Sequence, residues 1–574
     1  MPYTPPIEEQ RFILRHIVRM NELAAHDRFA EATDDTVDAI LEGVGQLAAE
    51  QFAPLNRVGD QVGAKWSADG VILPEGFRQA YRSYVEGGWG TLAGPVAYGG
   101  QGLPLTLATV VLEDLGSANL AFSLAMMLTP GAVEALVHHG SEELQRQWLP
   151  RLVTGEWNGT MNLTEPQAGT DVGALKTRAV RREDGTYRVK GQKIFITWGE
   201  HDLSDNIVHL VLARLPDAPP GTKGISLFLV PKFRLDAEGN AGAFNDVRCV
   251  SIEHKLGIHA SPTCVMSFGD EDGCVGYLIG EENGGMRAMF TMMNNARLNV
   301  GLQGVSIAER ATQRAVAYAR ERVQSARAGH SVRDSIAIID HPDVRRMLMR
   351  MKALTQGARA LTYYAAGQAD RASLGDADAQ ARLDLLTPLV KAYGTDVGVE
   401  VASLGVQVHG GMGFVEETGA AQHYRDARIT PIYEGTNGVQ AADLVGRKLG
   451  LEGGAVLAAL LRDIRADADA RLSPLIDAVE EVVAWMDAAD RHVEDRLAGS
   501  YPLLTMLSVA VAGGLMGRQA DAAEGEGDPV FLAMKRAAAD FYLGCIVPEA
   551  GGLKAAAMAG AAPLYAVPAE AFAA

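Results

Sequence analysis

The carboxylate that most suggests chemistry in this sequence is Glu434, in the segment PIYEGTNG. It follows the apolar residues 431–433 and directly precedes Gly435. A carboxylate held against apolar groups is favoured in its protonated form, so its pKa rises toward the range of a useful general base. The glycine would let the backbone come close to a ligand. The segment therefore predicts a catalytic base, with a solvated turn residue as the alternative.

A second segment, MNLTEPQAGTD at 161–171, combines a predicted turn with hydroxyl groups. Pro166 and Gly169 predict a turn whose backbone N–H groups are free to bind a ligand. Three threonines place hydroxyls near this turn: Thr164, Thr170 and, on the strand GQKIFITWG, Thr197. Such groups suit a neutral, hydrogen-bonding heterocycle and its phosphates. A polar β-turn without a ligand is the alternative.

Several classes of protein are excluded by composition and motifs. The formal net charge of −19 provides no basic excess to replace phosphate counterions, so no nucleic-acid partner is predicted. The chain has no GxSxG, HExxH or GxxxxGK[ST] motif, and no GxGxxG follows a predicted strand. No metal site is predicted because the four cysteines lack ligand spacing: Cys249, Cys264, Cys274 and Cys545.

The cellular setting is predicted from the cysteines and the apolar segments. Few, unpatterned cysteines and a polar N-terminus are typical of a cytoplasmic protein. The longest apolar stretch, Leu503 to Met516, is too short to span a bilayer comfortably. We therefore expect no membrane span, and we expect this stretch to be a buried helix.

The order of predicted elements is helices, then strands, then helices again. Helical periodicity gives way near residue 158 to short alternating segments such as Tyr187–Thr197, expected to form an antiparallel β unit. Segregated element types imply separate domains, so the predicted fold is mainly α with a central β domain. The predicted domains are an N-terminal extension at 1–33, a helical domain at 34–157, a β domain at 158–283, a helical bundle at 284–450 and an additional C-terminal helical domain at 451–574.

The motifs and their order resemble the acyl-CoA dehydrogenase family. TEPQAGTD, GQKIFIT, QVHGGMGF and IYEGTNG carry the likeness, supported by YGGQGLP, HGSEELQRQWLPRLVTGE and LGIHASPTC. The similarity spans about residues 34–450, and the chain length resembles the extended branch of the family. EHKLGIHASPTCVMSFG and the opening YTPPIEEQRFIL are similar to a subgroup that acts on a methylthio acyl-CoA in dimethylsulfoniopropionate breakdown.

This resemblance implies a fold and a reaction. The fold is an N-terminal helical domain, a middle antiparallel β-barrel, a C-terminal four-helix bundle and an extra C-terminal helical domain. The reaction is FAD-dependent α,β-dehydrogenation of an acyl-CoA thioester to a trans-2-enoyl-CoA, here 3-(methylthio)propanoyl-CoA to 3-(methylthio)acryloyl-CoA. Glu434 matches the base that removes the α-proton, while hydride passes from the β-carbon to flavin N5. Some relatives carry the base on another helix, but this chain has Ala296 there and no acidic residue between Asn283 and Ile307.

The resemblance also implies binding residues. Those for the flavin are Met161, Leu163, Thr164, Thr170, Phe195, Thr197, Arg322, Gln324, Gln407, Gly410, Gly411 and Thr436. Those for the acyl-CoA are Thr170, Asn294, Arg297 and Gly435. Three positions depart from the common pattern of the family: Phe195 replaces Trp, Ser325 replaces Phe and Gly438 replaces Gln.

Partners follow from the same resemblance, and alternatives stay open. Arg322 and Gln324 match residues that reach the flavin of a neighbouring subunit, which implies a homodimer. An electron-transfer flavoprotein would accept the electrons. The alternatives are a medium- or long-chain fatty acyl-CoA dehydrogenase, an acyl-CoA oxidase that uses O2, and a catalytically inactive flavin- or CoA-binding protein.

Overall fold

The computed structural model describes residues 2–329, 331, 334–466 and 469–574. The chain forms two compact units. One consists of residues 2–5 and 39–296, and the other of residues 6–38 and 297–574.

Helices dominate both ends of the described chain. They are α1 Ile7–Ile13, α2 Met20–Ala24, α3 Asp34–Leu47, α4 Ala53–Val62, α5 Phe77–Glu86, α6 Leu105–Ala118, α7 Leu120–His139, α8 Glu142–Thr154, α9 Gly285–Glu321, α10 Pro342–Ser373, α11 Ala377–His409, α12 Ala420–Ala427, α13 Asn437–Asp443, α14 Ala455–Ala466, α15 Ser473–Asp487, α16 Val493–Ala498, α17 Ser500–Ala522, α18 Pro529–Phe541, α19 Val547–Gly551 and α20 Lys554–Ala557.

Strands lie between α4 and α5 and between α8 and α9. They are β1 Lys65–Ser67, β2 Gly70–Ile72, β3 Asn158–Asn162, β4 Arg178–Arg181, β5 Tyr187–Thr197, β6 Ile207–Arg214, β7 Ile225–Pro231, β8 Phe233–Leu235, β9 Ala241–Phe244, β10 Val247–Ile252, β11 Thr263–Phe268 and β12 Val275–Ile279. The hairpin β1–β2 lies in a region that the sequence analysis described as helical. Strands of three residues are too short to show a period, so the pattern missed them.

The β domain is a closed ring with extra strands. β4 pairs with β5, β5 with β12, β12 with β7, β7 with β6, and β6 returns to β4. The prediction of a mainly α fold with a central β domain is confirmed. Most pairings in this unit are antiparallel, as expected, but β6 runs parallel to both β3 and β4. Long connections, rather than tight hairpins, join these strands in sequence, and long connections permit the parallel direction.

The helices of the same unit pack around α7. Its first turn is capped by Asn119, whose side chain accepts a hydrogen bond from the backbone N–H of Phe122 at 3.2 Å. The Phe122 ring in turn packs on Phe52 and Phe77, with ring centroids 4.6 and 4.4 Å away. This aromatic cluster is fully buried.

The second unit is built on the long helices α10 and α11, which pack along each other, together with α9 from residue 297 onward. The additional C-terminal helices pack on this bundle, and the hydroxyls of Tyr393 in α11 and Tyr542 lie 2.6 Å apart. α17, which contains residues 503–516, is largely buried, as predicted. Residues 6–33 of the N-terminal extension belong here as well, and Lys535 Nζ donates to Glu9 Oε1 at 2.7 Å.

Two helices are long and apolar enough to cross a bilayer by composition alone, namely α7 and α17. In each of them, 83% of the most apolar window is buried inside the fold. Burial of this kind also characterises the core helices of globular domains.

Candidate active site

The segment 431–437, which we call the base loop, reverses direction at two left-handed residues. Glu434 has φ 56° and Gly435 has φ 84°. Asn437 closes the loop by donating its backbone N–H to the Pro431 carbonyl at 3.0 Å, and Gln440 Nε2 donates to the Glu434 carbonyl at 3.3 Å. A glutamate in this conformation carries backbone strain, and such strain persists where surrounding contacts impose it. The loop therefore presents the Glu434 side chain from a fixed backbone.

The Glu434 carboxylate is partly buried, and no described residue donates a hydrogen bond to it. Burial raises the pKa of Glu434 above its ordinary value of 4.5, while the positive charges of Arg297 and Lys391 act in the opposite direction. The pKa is thus raised in the direction predicted from sequence, although Ile432, one of the residues expected to shield the carboxylate, is 48% exposed.

Lys391 lies in the middle of α11 and is completely buried. Its Nζ donates to Asn437 Oδ1 at 2.8 Å. Asn437 Nδ2 donates in turn to Asp396 Oδ1 at 2.8 Å and to Thr395 Oγ1 at 3.0 Å. The base loop is therefore anchored to α11 through one side-chain amide at its C-terminal end.

Arg297 lies on α9 and is 9% exposed, so it is not the surface charge that a lone helical arginine usually is. Its pKa is lowered by burial, against the opposing effect of Asp443 and Glu434. Its buried Nε has no hydrogen-bond partner among the described residues. An unused buried donor of this kind is a position where a polar ligand group can bind. The preceding residue, Ala296, occupies the alternative base position. It is buried and has no acidic side chain.

A further contact fixes the base loop at its other end. The Tyr433 hydroxyl donates a short hydrogen bond to Gln303 Oε1 on α9. Burial raises the pKa of Tyr433 well above its ordinary value, so the hydroxyl stays protonated and remains a donor. Tyr433 and Asn437 therefore hold the loop from both sides of Glu434.

The other unit carries a separate cluster, built on a bulge in β5. β11 pairs Cys264 with Ile196 and Met266 with Lys193, so two residues of β5 oppose one of β11. At this bulge Phe195 takes a left-handed φ of 59° and is 58% exposed. A bulge re-aims side chains in this way, and bulges are common beside active sites. An exposed aromatic face on a strained backbone fits a planar heterocycle.

The segment 163–168 runs beside this bulge and is held by a buried ion pair. Ile194 donates its backbone N–H to the Thr164 carbonyl at 2.9 Å. Lys193 Nζ donates to the Leu163 carbonyl at 2.9 Å and to Glu165 Oε1 at 2.8 Å. Leu163 and Thr164, both predicted to contact the flavin, follow β3 and are thereby fixed beside the part of β5 that carries Phe195.

The turn in this segment differs from the sequence expectation. Glu165 and Ala168 exchange backbone hydrogen bonds of 3.1 and 2.9 Å, so the turn consists of residues 166–167. Gly169 lies beyond it and does not need a left-handed φ. The prediction that Pro166 and Gly169 together form the turn is therefore wrong for Gly169. The backbone N–H groups of Glu165 and Ala168 pair across the turn, so they are not free to bind a ligand as had been expected.

The remaining predicted residues fall into the two units. In the unit of residues 39–296, Met161 is buried on β3, Thr197 ends β5, and Thr170 and Asn294 are exposed. In the other unit, Arg322 donates to Gln324 Oε1 at 3.2 Å after α9, Gln407, Gly410 and Gly411 are exposed at the end of α11, and Thr436 caps α13 by accepting from the backbone N–H of Val439 at 3.2 Å. The roles assigned to these residues stay predictions.

Sequence reasoning missed Lys391, Gln303 and Asn437 in the base cluster. Lys391 did leave a signal, because it stands alone in the apolar run LTPLVKAYG of a helix. A lysine that cannot turn to solvent must find a buried partner. Gln303 and Asn437 left no comparable signal, since polar residues of their kind are common on helix surfaces.

The chain thus combines a helical domain, a β-ring and a long helical bundle, and the bundle holds a partly buried carboxylate under the influence of two cations. Four domain families match the chain in succession: acyl-CoA dehydrogenase N-terminal domain at 34–156, middle domain at 160–270, C-terminal domain at 283–449, and acetyl-CoA dehydrogenase C-terminal like at 455–568. The chain belongs to the acyl-CoA dehydrogenase family.

Individual relatives agree with this membership. The chain is 46% identical over 572 residues to a 3-methylmercaptopropionyl-CoA dehydrogenase of Ruegeria pomeroyi, covering 96% of this chain and 97% of that one. It superposes on Caenorhabditis elegans ACDH-11 in complex with C11-CoA with a TM-score of 0.78, 22% identity and coverage of 95% and 91%. It superposes on an acyl-CoA dehydrogenase of Bacillus anthracis complexed with FAD with a TM-score of 0.74, 22% identity and coverage of 92% and 88%.

The predicted family, cofactor and reaction class are therefore confirmed. The chain is an oxidoreductase that acts on acyl-CoA thioesters and uses FAD.

Proposed function

We propose that this enzyme oxidises 3-(methylthio)propanoyl-CoA to 3-(methylthio)acryloyl-CoA, with Glu434 as the base that removes the α-proton. The substrate is proposed because a 3-methylmercaptopropionyl-CoA dehydrogenase is 46% identical over nearly the full length of both chains. One observation carries the role of Glu434. It is a carboxylate with a raised pKa that no described residue binds, under the influence of two cations.

These properties suit proton abstraction from carbon. A raised pKa brings the carboxylate closer to the acidity of the α-carbon, which makes it a stronger base. Arg297 and Lys391 keep a useful fraction of the carboxylate ionised despite its burial. The backbone N–H of Glu434 donates to no described residue, so it is available to the thioester carbonyl. A donor at that oxygen would stabilise the enolate that forms as the proton leaves.

The residues of the β domain fit the cofactor. Phe195 on β5 offers an exposed aromatic face, and Thr197 at the end of β5 offers a hydroxyl. Leu163 and Thr164, on the segment hydrogen-bonded to β5, offer an apolar and a hydroxyl contact. When bound, FAD supplies the acceptor for the hydride that leaves the β-carbon. The chain's own contribution there is to hold and orient the ring, since the buried Lys193–Glu165 pair fixes the segment that carries Leu163 and Thr164.

Substrate contacts are proposed at four positions. Arg297 has an unused buried donor, and Gly435 follows the base with a φ that favours glycine. A Cβ added at Gly435 would approach Gln440 Nε2 to 2.9 Å, so a side chain there would disturb the loop. Thr170 and Asn294 are exposed and would contact the CoA moiety.

The role of Glu434 is tested by the substitution Glu434→Gln in the FAD-loaded enzyme. We expect kcat to fall by about 10³-fold or more while flavin absorbance and acyl-CoA binding are retained, because general bases contribute on this order. Glu452→Gln is the matched control, since Glu452 is an exposed glutamate of the same unit that also has a left-handed φ of 50°. Near-normal turnover of Glu434→Gln would exclude Glu434 as the base. The substrate is tested by comparing kcat/KM for methylthio, short- and medium-chain acyl-CoAs.

We also propose an electron-transfer flavoprotein as the acceptor, a homodimer as the active form and the cytoplasm as the location. Arg322 and Gln324 would reach the flavin of a neighbouring subunit, and Gln407, Gly410 and Gly411 would contact the adenine side of the cofactor. All five are exposed in the single chain, which leaves them accessible to a second copy. Stoichiometric hydrogen peroxide during turnover would favour the oxidase alternative.

A further inference from the structure

Lys391 is a fully buried charge of the bundle whose contacts extend beyond its electrostatic effect on Glu434. It lies at a central position of α11, has no exposed surface, and donates to one partner only among the described residues, Asn437. Taking an ammonium group out of water is unfavourable unless its charge is compensated nearby. A lysine retained at such a site needs a role that a hydrophobic residue could not fill.

The contacts of Lys391 lead in two directions. Toward the substrate, Asn437 carries the end of the base loop, three residues after Glu434. Away from it, Asn437 donates to Asp396 at 2.8 Å, and Asp396 accepts from the Tyr501 hydroxyl at 2.7 Å. Tyr501 lies in α17, within the additional C-terminal helical domain. One hydrogen-bonded series therefore connects this domain to the loop of the base.

The charges around this series are of both signs and come from several elements. Glu434 faces Arg297 from α9 and Lys391 from α11, and Lys391 also faces Asp396. The outer charges are Asp443 and Arg447 near Arg297, Glu400 near Asp396, and Arg428 near Tyr501. Lys391 is thus a buried positive charge that two partly buried carboxylates, Glu434 and Asp396, act on.

We propose that Lys391 is a positioning residue for the reaction: it anchors the base loop through Asn437 and keeps the Glu434 carboxylate ionised, while Asp396 and Tyr501 secure its own charge. This inference rests on the proposed role of Glu434 as the base. It gives the C-terminal domain a part in catalysis, because the hydroxyl that completes the series belongs to that domain.

The titration of Lys391 defines the pH range in which the effect is visible. Burial lowers its pKa to about 7, although Glu434 and Asp396 raise it. Below this pH the ammonium is charged and lowers the pKa of Glu434. Above it the amine is neutral, and removing it changes nothing electrostatic. Loss of the charge should therefore weaken the enzyme more at low pH than at high pH.

The test compares Lys391→Gln with Lys391→Met in the FAD-loaded full-length enzyme. Glutamine keeps a donor for Asn437 but removes the charge, whereas methionine removes both. We expect the acidic limb of the kcat/KM profile to move up by about one pH unit in both variants, since a neighbouring charge acts on this scale. Activity at pH 6 would fall several-fold, the loss at pH 9 would be smaller than at pH 6 for Lys391→Gln, and Lys391→Met would also lose kcat at pH 9.

A second readout follows the carboxyl group itself. Infrared difference spectra between high and low pH, with the Glu434 band assigned by its loss in Glu434→Gln, would show the carboxyl protonating at higher pH in Lys391→Gln. Lys535→Gln is the matched control, because Lys535 is an equally buried lysine of the same unit that pairs with Glu9. That control is expected to lower the Tm without moving the acidic limb.

If Lys391→Gln does not fold, Tyr501→Phe tests the same series from its exposed end. Loss of this hydroxyl raises the pKa of Asp396, which weakens the support for the Lys391 charge, so the acidic limb should move in the same direction by a smaller amount. The proposal is overturned if the variant that folds, Lys391→Gln or otherwise Tyr501→Phe, loses rate uniformly at every pH while the acidic limb of its profile does not move. If Glu434→Gln itself stays active, the proposed function fails instead, and the two failures are thereby distinguished.

Discussion

Two glutamates in this enzyme lie close to buried lysines, and their surroundings differ in one respect. Glu165 of the β domain binds Lys193 Nζ directly at 2.8 Å and accepts further bonds from Thr177 and from the backbone N–H of Lys176. Glu434 of the helical bundle has no such donor among the described residues, and its lysine donates to an asparagine instead.

The protonation behaviour follows from this difference. Burial alone would raise the pKa of Glu165, but Lys193 and the hydrogen bonds lower it to about 2. Burial raises the pKa of Glu434, and its two cations only moderate the effect. A carboxylate whose lone pairs are all occupied stays ionised and fixes structure. One that is charged but not hydrogen-bonded can take a proton, which is what a base must do.

The largest effect that tests this comparison is expected for a substitution of Lys193. The substitution Lys193→Met leaves Glu165 buried and unpaired, and breaking a buried ion pair in this way costs about 3–5 kcal/mol. Denaturant unfolding followed by far-ultraviolet circular dichroism should show this loss in the transition of the β domain. Lys190→Met is the matched control, because Lys190 pairs with Asp272 at 2.9 Å on the exposed side of the same strand. A loss no greater than that of the control would mean that the pair does not stabilise the domain.

A smaller effect, on the Tm, is expected to have opposite signs for the two glutamates. At pH 7, Glu165→Gln should lower the Tm, while Glu434→Gln should raise it by a few degrees, because functional sites trade stability for activity. The pKa of folded Glu165 is depressed, so its stabilisation is present above pH 4.5 and disappears as pH falls toward 2. The pKa of folded Glu434 is raised, so its ionised form destabilises the fold at pH values above that pKa, and the gain from Gln disappears below pH 4.5.

Thermal unfolding measured from pH 2 to pH 8 gives both curves in one experiment. The wild-type and Glu165→Gln curves should converge at low pH, and so should those of the wild type and Glu434→Gln. Equal signs at pH 7 would contradict the distinction between a structural and a catalytic carboxylate.

Much of this arrangement was accessible from sequence, and its limits are physical. The order of helices and strands and the family motifs predicted the fold and placed Glu434 in a loop. The alternation of β5 could also have predicted Lys193, which shares the inward phase with Tyr187 and Val189. The same alternation places Phe195 inside. The bulge reverses the phase there, and a bulge depends on pairing with β11, which no local pattern encodes.

The base cluster was less accessible, because its members come from distant parts of the chain. Arg297, Lys391 and Glu434 are separated by dozens of residues, and their proximity depends on how α9 and α11 pack. The raised pKa of Glu434 was predicted from its apolar neighbours in sequence, yet one of these neighbours, Ile432, is 48% exposed. The environment of a side chain depends on tertiary packing. The direction of the pKa shift of Glu434 could therefore be predicted from sequence, but its cause only in part.

The smallest expected effect concerns Tyr433, which holds the base loop without contributing charge. Tyr433→Phe removes the hydrogen bond to Gln303, a loss of about 1 kcal/mol in a typical case. The loop would then orient Glu434 less well, and kcat/KM should fall a few-fold at every pH, with the acidic limb in place. Tyr424→Phe, at an exposed tyrosine of the same unit, is the control and should change neither quantity. A displaced acidic limb in Tyr433→Phe would mean that anchoring and charge are not separable at this base, because the loop's position would itself set how strongly Arg297 and Lys391 act on the carboxylate.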